Sequence, residues 1–124
     1  MKLKKIISNL SLREKISLLS GFDNWYTPEL KKYGIPKIKM SDGPNGVRGD
    51  SNTPQTSACF PSPILLGATW NEKLIKKIGS ATGEEALFKD VDVLLAPTIN
   101  LHRHPLGGRH FECYSEDPVL TSKI

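Results

Sequence analysis

The stretch Leu94–Pro118, LLAPTINLHRHPLGGRHFECYSEDP, restricts the fold of this chain more than any other. It begins as an apolar run that reads as a buried strand. It then breaks at prolines and glycines into a loop carrying two Arg, three His, two Glu and one Asp. No single helix or strand accommodates so abrupt a change of character. A strand that hands over to a polar loop at its C-terminal end is how α/β folds assemble sites. The apolar part therefore reads as scaffold and the polar part as chemistry.

The elements before it support an α/β class. Ser11–Ser20, SLREKISLLS, has Leu12, Ile16 and Leu19 at helical spacing. Ser11 and Glu14 have the spacing of a capping box, and Gly21 supplies a stop. Phe22–Pro36 is a connector whose Trp25, Tyr26 and Tyr33 suit a core edge or a pocket wall. Ile35–Met40, IPKIKM, alternates and reads as a short strand. It runs into Ser41–Gly49, where Asp42 follows the strand. Both a carboxylate aimed into a cleft and an Asx turn satisfy that position. Asp50–Pro63 shows no helical period. Ile64–Ala68, ILLGA, is a short apolar run between breakers and reads as a second strand. With no helix before it, the first two strands are expected to pair antiparallel or irregularly. Asn71–Lys89 is the clearest helix, capped by Asn71 with Glu72 in its first turn. Gly79 and Gly83 within it are expected to mark close packing against a sheet. Val91–Pro97, VDVLLAP, follows as a strand, so strand, helix and strand form a βαβ pattern. Val119–Ile124 begins a further segment too short for a finished helix.

With 124 residues the chain suffices for one domain with a core. Its net charge of +4 is spread along the sequence apart from early lysines, and no nucleic-acid reading motif accompanies it. Nucleic acid is therefore not expected as a partner. Nor is a membrane, because no run approaches the ~18 apolar residues of a span. The start MKLKKIISNLSLREKISLL lacks the uninterrupted apolar stretch of a secretion signal. Cys59 and Cys113 form no CxxC pair and read as free thiols in a reducing compartment, the cytoplasm.

Three motifs then agree. They are Met40-Ser41-Asp42-Gly43-Pro44-Asn45-Gly46-Val47-Arg48-Gly49, Ala58-Cys59-Phe60-Pro61, and Pro97–Arg109 (PTINLHRHPLGGR) with Phe111-Glu112 and Ser115-Glu116-Asp117-Pro118. In this order and spacing the chain, from about Ser11 to Ile124, resembles the N-terminal part of the catalytic barrel of glycoside hydrolase family 3, the β-glucosidase family. The resemblance implies a (β/α)8 TIM-like barrel followed by an α/β sandwich domain. It makes residues 1–124 about the first half of that barrel, a truncated α/β unit, since a whole barrel takes ~250 residues. It also implies retaining hydrolysis of terminal non-reducing β-linked sugars by a carboxylate nucleophile and an acid/base carboxylic acid. No cofactor is implied.

Carried over residue by residue, the resemblance makes Asp42 an acceptor for sugar hydroxyls and Arg48 a second hydroxyl-contacting residue. Arg109 becomes a sugar-binding arginine that also holds Asp42. An ionised carboxylate can clamp two adjacent hydroxyls, and a guanidinium can donate to several oxygens. Arg103, Glu112, Glu116 and Asp117 are expected to shape the loop as ion pairs. The family's nucleophile, an Asp in a downstream strand-end motif such as Ser-Asp-Trp, has no counterpart. Asp23-Asn24-Trp25 precedes the barrel and does not match it. The downstream Lys-His pair and the acid/base residue are also without counterparts, so no catalytic residue is expected here and the chain alone should be inactive.

Two rivals remain at this level. A metal hydrolase would use His102-x-His104 with His110, Cys113 and Glu112. A non-catalytic sugar-binding remnant would keep only Asp42 and Arg109. The expected partners are a β-linked glucoside or oligosaccharide, and the missing barrel half or further copies of the chain. Self-association is expected because the last strand leaves an edge and apolar faces without partners.

Overall fold

The computed structural model describes residues 2–49 and 55–124, with the side chain of Lys2 outside the description. The chain divides into two compact units, Met1–Met40 and Ser41–Ile124.

The first unit holds two helices, α1 (Lys2–Asn9) and α2 (Leu12–Leu18). The capping box anticipated from sequence closes α2. Glu14 N–H donates to Ser11 Oγ at 3.2 Å, and Ser11 N–H donates to Glu14 Oε2 at 2.8 Å. Those bonds satisfy amide donors that the first turn would otherwise leave unpaired. The Ser11 hydroxyl, donating to Glu14 Oε2 at 2.7 Å, and then the Ser11 amide hold the Glu14 carboxyl below its ordinary pKa. The apolar side of α2 stays open, with Leu12, Ile16 and Leu19 exposed. α1 was not anticipated, although Leu3, Ile6 and Ile7 have helical spacing. After α2, Asp23 Oδ1 accepts the amides of Trp25 and Tyr26, an Asx turn. The Lys37 ammonium lies 3.8 Å from the centre of the Tyr26 ring. The Tyr33 hydroxyl lies 3.0 Å from Asn9 O, with a 3-10 turn at Lys31–Tyr33 beneath it.

The strand expected over 35–40 is displaced. Only isolated bridges occur at Ile35 and Lys39, and the strand β1 is Met40–Asp42. It pairs with β2 (Val93–Leu95) in the sheet of the described residues. The second unit therefore has α/β character, as expected, but its middle differs. Ile64–Ala68 is not a strand: Pro63–Ala68 forms helix α3. A five-residue apolar run cannot distinguish a strand from a buried helix by periodicity. The deciding signal was Pro63 after Ser62, since proline is pre-organised for the first helical position. Gly67 then lets α3 approach the Tyr114 backbone, whose carbonyl a Cβ at position 67 would strike. Residues 50–54 of the connection ahead of α3 lie outside the described residues, and residues 55–62 carry no regular element.

Helix α4 spans Glu72–Phe88, with Asn71 Oδ1 accepting Leu74 N–H at 3.0 Å. Its inward side gives Ala86 to a small core with Val47 and Val91, against which Leu94 packs. The expected close packing at Gly79 and Gly83 is not found among the described residues, where nothing lies within 4 Å of a Cβ placed at either. β2 is also less buried than its apolar sequence suggested. Leu94 points to the core, while Val93 and Leu95 are 42% and 49% exposed. A two-stranded sheet covers only one face of such a strand. The last segment forms α5 (Pro118–Lys123), capped by Asp117 Oδ1, which accepts Val119 N–H at 2.7 Å. Asp117 thus acts as a helix cap rather than in the ion pair expected of it.

Candidate functional site

The end of β1 is closed by its own loop. Buried Ser41 accepts Gly49 N–H on Oγ at 2.9 Å and donates to Asp42 O at 3.0 Å. Arg48 N–H donates to the same carbonyl at 3.0 Å. The loop is therefore cinched at its base, with Asp42 at the mouth. The second sequence motif is bonded directly to the first. Phe60 N–H donates to Asn45 O at 2.7 Å, and Asn45 Nδ2 donates to Phe60 O at 3.3 Å. Gly46, at φ 137°, lies so close to Ala58 that a Cβ there would collide with the Ala58 carbonyl. This is why a residue without a side chain stands at position 46.

The third motif forms a loop held by its histidines. His102 Nε2 lies 2.8 Å from His110 O and 3.0 Å from Cys113 O. Both partners are carbonyls, which only accept, so Nε2 carries the proton. By the same reasoning His110 Nε2 is the protonated nitrogen, donating to His104 O. His104 Nδ1 accepts Leu106 N–H at 3.2 Å. A metal binds an imidazole through a lone pair, and the one on His104 Nδ1 is already taken by the Leu106 amide. Among the described residues no group of three His, Cys, Asp or Glu could hold a metal. The metal-hydrolase reading of His102-x-His104 therefore has no assembled ligand set.

These bonds fix a 3-10 turn at His110–Glu112, immediately after Arg109. A 3-10 turn eclipses residues i and i+3. Glu112 consequently meets Arg109 edge to edge, with Nε–Oε1 at 2.7 Å and Nη2–Oε2 at 2.6 Å. This bidentate pair raises the Arg109 pKa and holds the Glu112 carboxyl below its ordinary value. Asp42 adds only a smaller attraction to Arg109. The arginine expected to brace Asp42 instead gives one edge of its fork to Glu112.

Asp42, Arg48 and Arg109, the three residues singled out from sequence, line one cavity of about 570 Å³. Thr98, Asn45 and Glu112 add polar groups, and Leu95 and Phe111 add apolar wall. Sequence reasoning gave Thr98 and Phe111 of the third motif, and Leu95 of β2, no role on the cavity, because nothing local in the chain marks which of its residues will face inward. The volume suits a small molecule, and the lining mixes convergent polar groups with apolar surface. Arg103 and Glu116 border a separate small cavity beside the histidines.

Residues 6–124 match the family model for the glycosyl hydrolase family 3 N terminal domain. The chain belongs to this family. Within it, a β-glucosidase of Rhizobium radiobacter is 53% identical over 119 residues, an alignment covering 94% of this chain and 14% of the relative. The thermostable β-glucosidase B of Acetivibrio thermocellus is 42% identical, with 98% and 17% covered. Family 3 structures agree. A β-glucosidase from Kluyveromyces marxianus in complex with glucose superposes with TM-score 0.87 at 42% identity, over 96% of this chain and 14% of that one. β-Glucosidase 3B from Thermotoga neapolitana in complex with α-D-glucose gives TM-score 0.83 at 38% identity, with 99% and 20% covered. The chain thus spans about one seventh of the length of the family 3 relatives from R. radiobacter and K. marxianus.

Proposed function

We propose that this chain is the sugar-recognition part of a retaining β-glucosidase, about the first half of a (β/α)8 barrel, and that it does not cleave the glycosidic bond alone. The observation that carries the reading is the meeting of Asp42 and Arg48, from the loop after β1, with Arg109, from the loop after β2, on one cavity. Relatives named β-glucosidases, two of them solved with glucose, support a terminal β-linked glucose as ligand. The Asp42 carboxylate accepts from two neighbouring sugar hydroxyls. Arg109 has five N–H donors, and the two used on Glu112 leave three for sugar oxygens. Arg48 supplies a second cation, and Phe111 and Leu95 meet an apolar ring face.

Cleavage with retention needs two carboxyl groups about 5–5.5 Å apart, one free to attack and one able to hold a proton. Glu112 is tied to Arg109 and held ionised, so it suits neither task. Among the described residues, Asp42 is the other carboxylate of the cavity lining. The nucleophile and the acid/base residue would then come from chain beyond these residues, and the barrel remainder would be the natural partner. Free thiols at Cys59 and Cys113 accord with a cytoplasmic setting.

The test uses the purified chain. Glucose should produce saturable NMR shifts that disappear in Asp42→Ala, and a nitrophenyl β-glucoside should stay intact. Nitrophenol release at a full glucosidase's rate would overturn the inactivity. Absence of any glucose shift would overturn the recognition role.

A further inference from the structure

We infer that Glu112 is a positioning residue for sugar binding, one that sets the Arg109 guanidinium at the cavity wall with Nη1 and one N–H of Nη2 left for the ligand. The inference rests on the sugar-binding reading of this cavity. Arg109 is the mobile partner by nature: its side chain is 80% exposed, and an unanchored arginine would sample many rotamers. Glu112 is the fixed partner, with a side chain only 13% exposed.

Its backbone is held independently of its carboxylate. Glu112 N–H donates to Arg109 O at 3.1 Å, and Cys113 N–H donates to His110 O at 3.0 Å. His102 Nε2 bonds the carbonyls of His110 and Cys113 on either side, and Cys113 is buried. The loop therefore has its own scaffold, and the Glu112 carboxylate has a different task. Edge-on pairing fixes the plane of the guanidinium as well as its place. Pre-set donors bind a ligand more tightly than donors that must be ordered on binding. A loop-shaping glutamate and a positioning glutamate make different predictions. Removing the first disturbs the loop, whereas removing the second leaves the loop and releases Arg109.

Arginine-labelled 15N NMR of the whole chain, with glucose titrations, separates them. In the unsubstituted chain the Arg109 Nε–H should be rigid and slow to exchange. In Glu112→Gln it should become mobile, and glucose affinity should fall about five- to tenfold, the order expected when an anchored donor is freed. The amides of His102 and Cys113 should keep their shifts. Glu112→Asp, which keeps the charge one methylene short, should recover part of the affinity and carries the comparison if Glu112→Gln does not fold. The inference is overturned if Glu112→Gln binds glucose as tightly as the unsubstituted chain. It is equally overturned if the His102 and Cys113 amides move with the substitution, or if Nε–H is mobile from the start. An unsubstituted chain that fails to bind glucose overturns the sugar reading itself, a result visible before any substitution is made.

Discussion

The Lys89 ammonium, its side chain 1% exposed, lies 2.6 Å from Glu85 Oε1 one helical turn earlier on α4. It also donates to Ser57 Oγ at 2.5 Å and to Val47 O at 2.7 Å. Glu85 Oε1 in turn accepts Ala58 N–H at 3.1 Å. The pair ties the C-terminal turn of α4 to Val47 in the first motif and to Ala58 in the second.

Replacing Lys89 by Met should therefore cost more than an ordinary surface pair. It removes the cation facing the Glu85 carboxylate, which keeps the Ala58 amide, and it removes a donor from Val47 O, a loss of about 3 kcal/mol. Urea unfolding followed by circular dichroism measures it. A change within ~0.5 kcal/mol, the range of surface substitutions, would show that the clamp contributes nothing.

The same pair predicts a pH dependence. Burial pushes the Glu85 carboxyl up, but hydrogen bonds from Lys89 and Ala58 together with the Lys89 charge leave it below its ordinary value. A carboxyl with a lowered folded-state pKa contributes stability above its unfolded pKa and loses it as pH falls through the folded value. Glu14 and Glu112 are lowered too and add in the same sense. The urea midpoint should hold steady near neutrality and fall as pH drops through and below the ordinary glutamate range. A midpoint that rises on acidification would contradict the assignment.

Glycine substitutions should split by position. Gly67→Ala drives a Cβ into the Tyr114 carbonyl and should destabilise by about 1–3 kcal/mol, as overpacking does. Gly79→Ala and Gly83→Ala meet open space inside α4 and should each stabilise by about 0.5–1 kcal/mol through helix propensity. Thermal melts of the three variants check the ordering, and destabilisation at 79 or 83 would mean that side of α4 is covered.

Association is the fourth expectation. Leu87 and Phe88 at the end of α4 are 76% and 80% exposed, and Val93 and Leu95 of β2 are nearly half exposed as well. Apolar surface of this kind, beside a strand in a two-stranded sheet, favours contacts between chains. Sedimentation velocity should show concentration-dependent oligomers. A monomer at all concentrations with one sharp cooperative unfolding transition would refute this.

Much of the site could be read in the linear order of residues. Asp42, Arg48 and Arg109 sit in motifs whose turn formers, Gly43, Pro44, Gly46 and Gly107-Gly108, announce loops before any fold is known. Helices α2 and α4 were equally legible, because capping by Ser11, Glu14 and Asn71 is a matter of neighbours three residues apart. Helix α3 was misread because five apolar residues satisfy either period, and its close approach to Tyr114 depends on a part of the chain far away.

The sequence by itself determined the family, the α/β class and the capped helices, and it singled out Asp42, Arg48 and Arg109 as candidates. These follow from motif order and from interactions within one turn of the chain. Only the tertiary structure decided that Arg109 pairs with Glu112 and that the three histidines hold backbone. It also decided that Lys89 joins α4 to the first two motifs, and that Gly79 and Gly83 face open space. Each of these depends on distances between side chains and backbone that local periodicity does not encode. They appear only once the loops have been folded against one another.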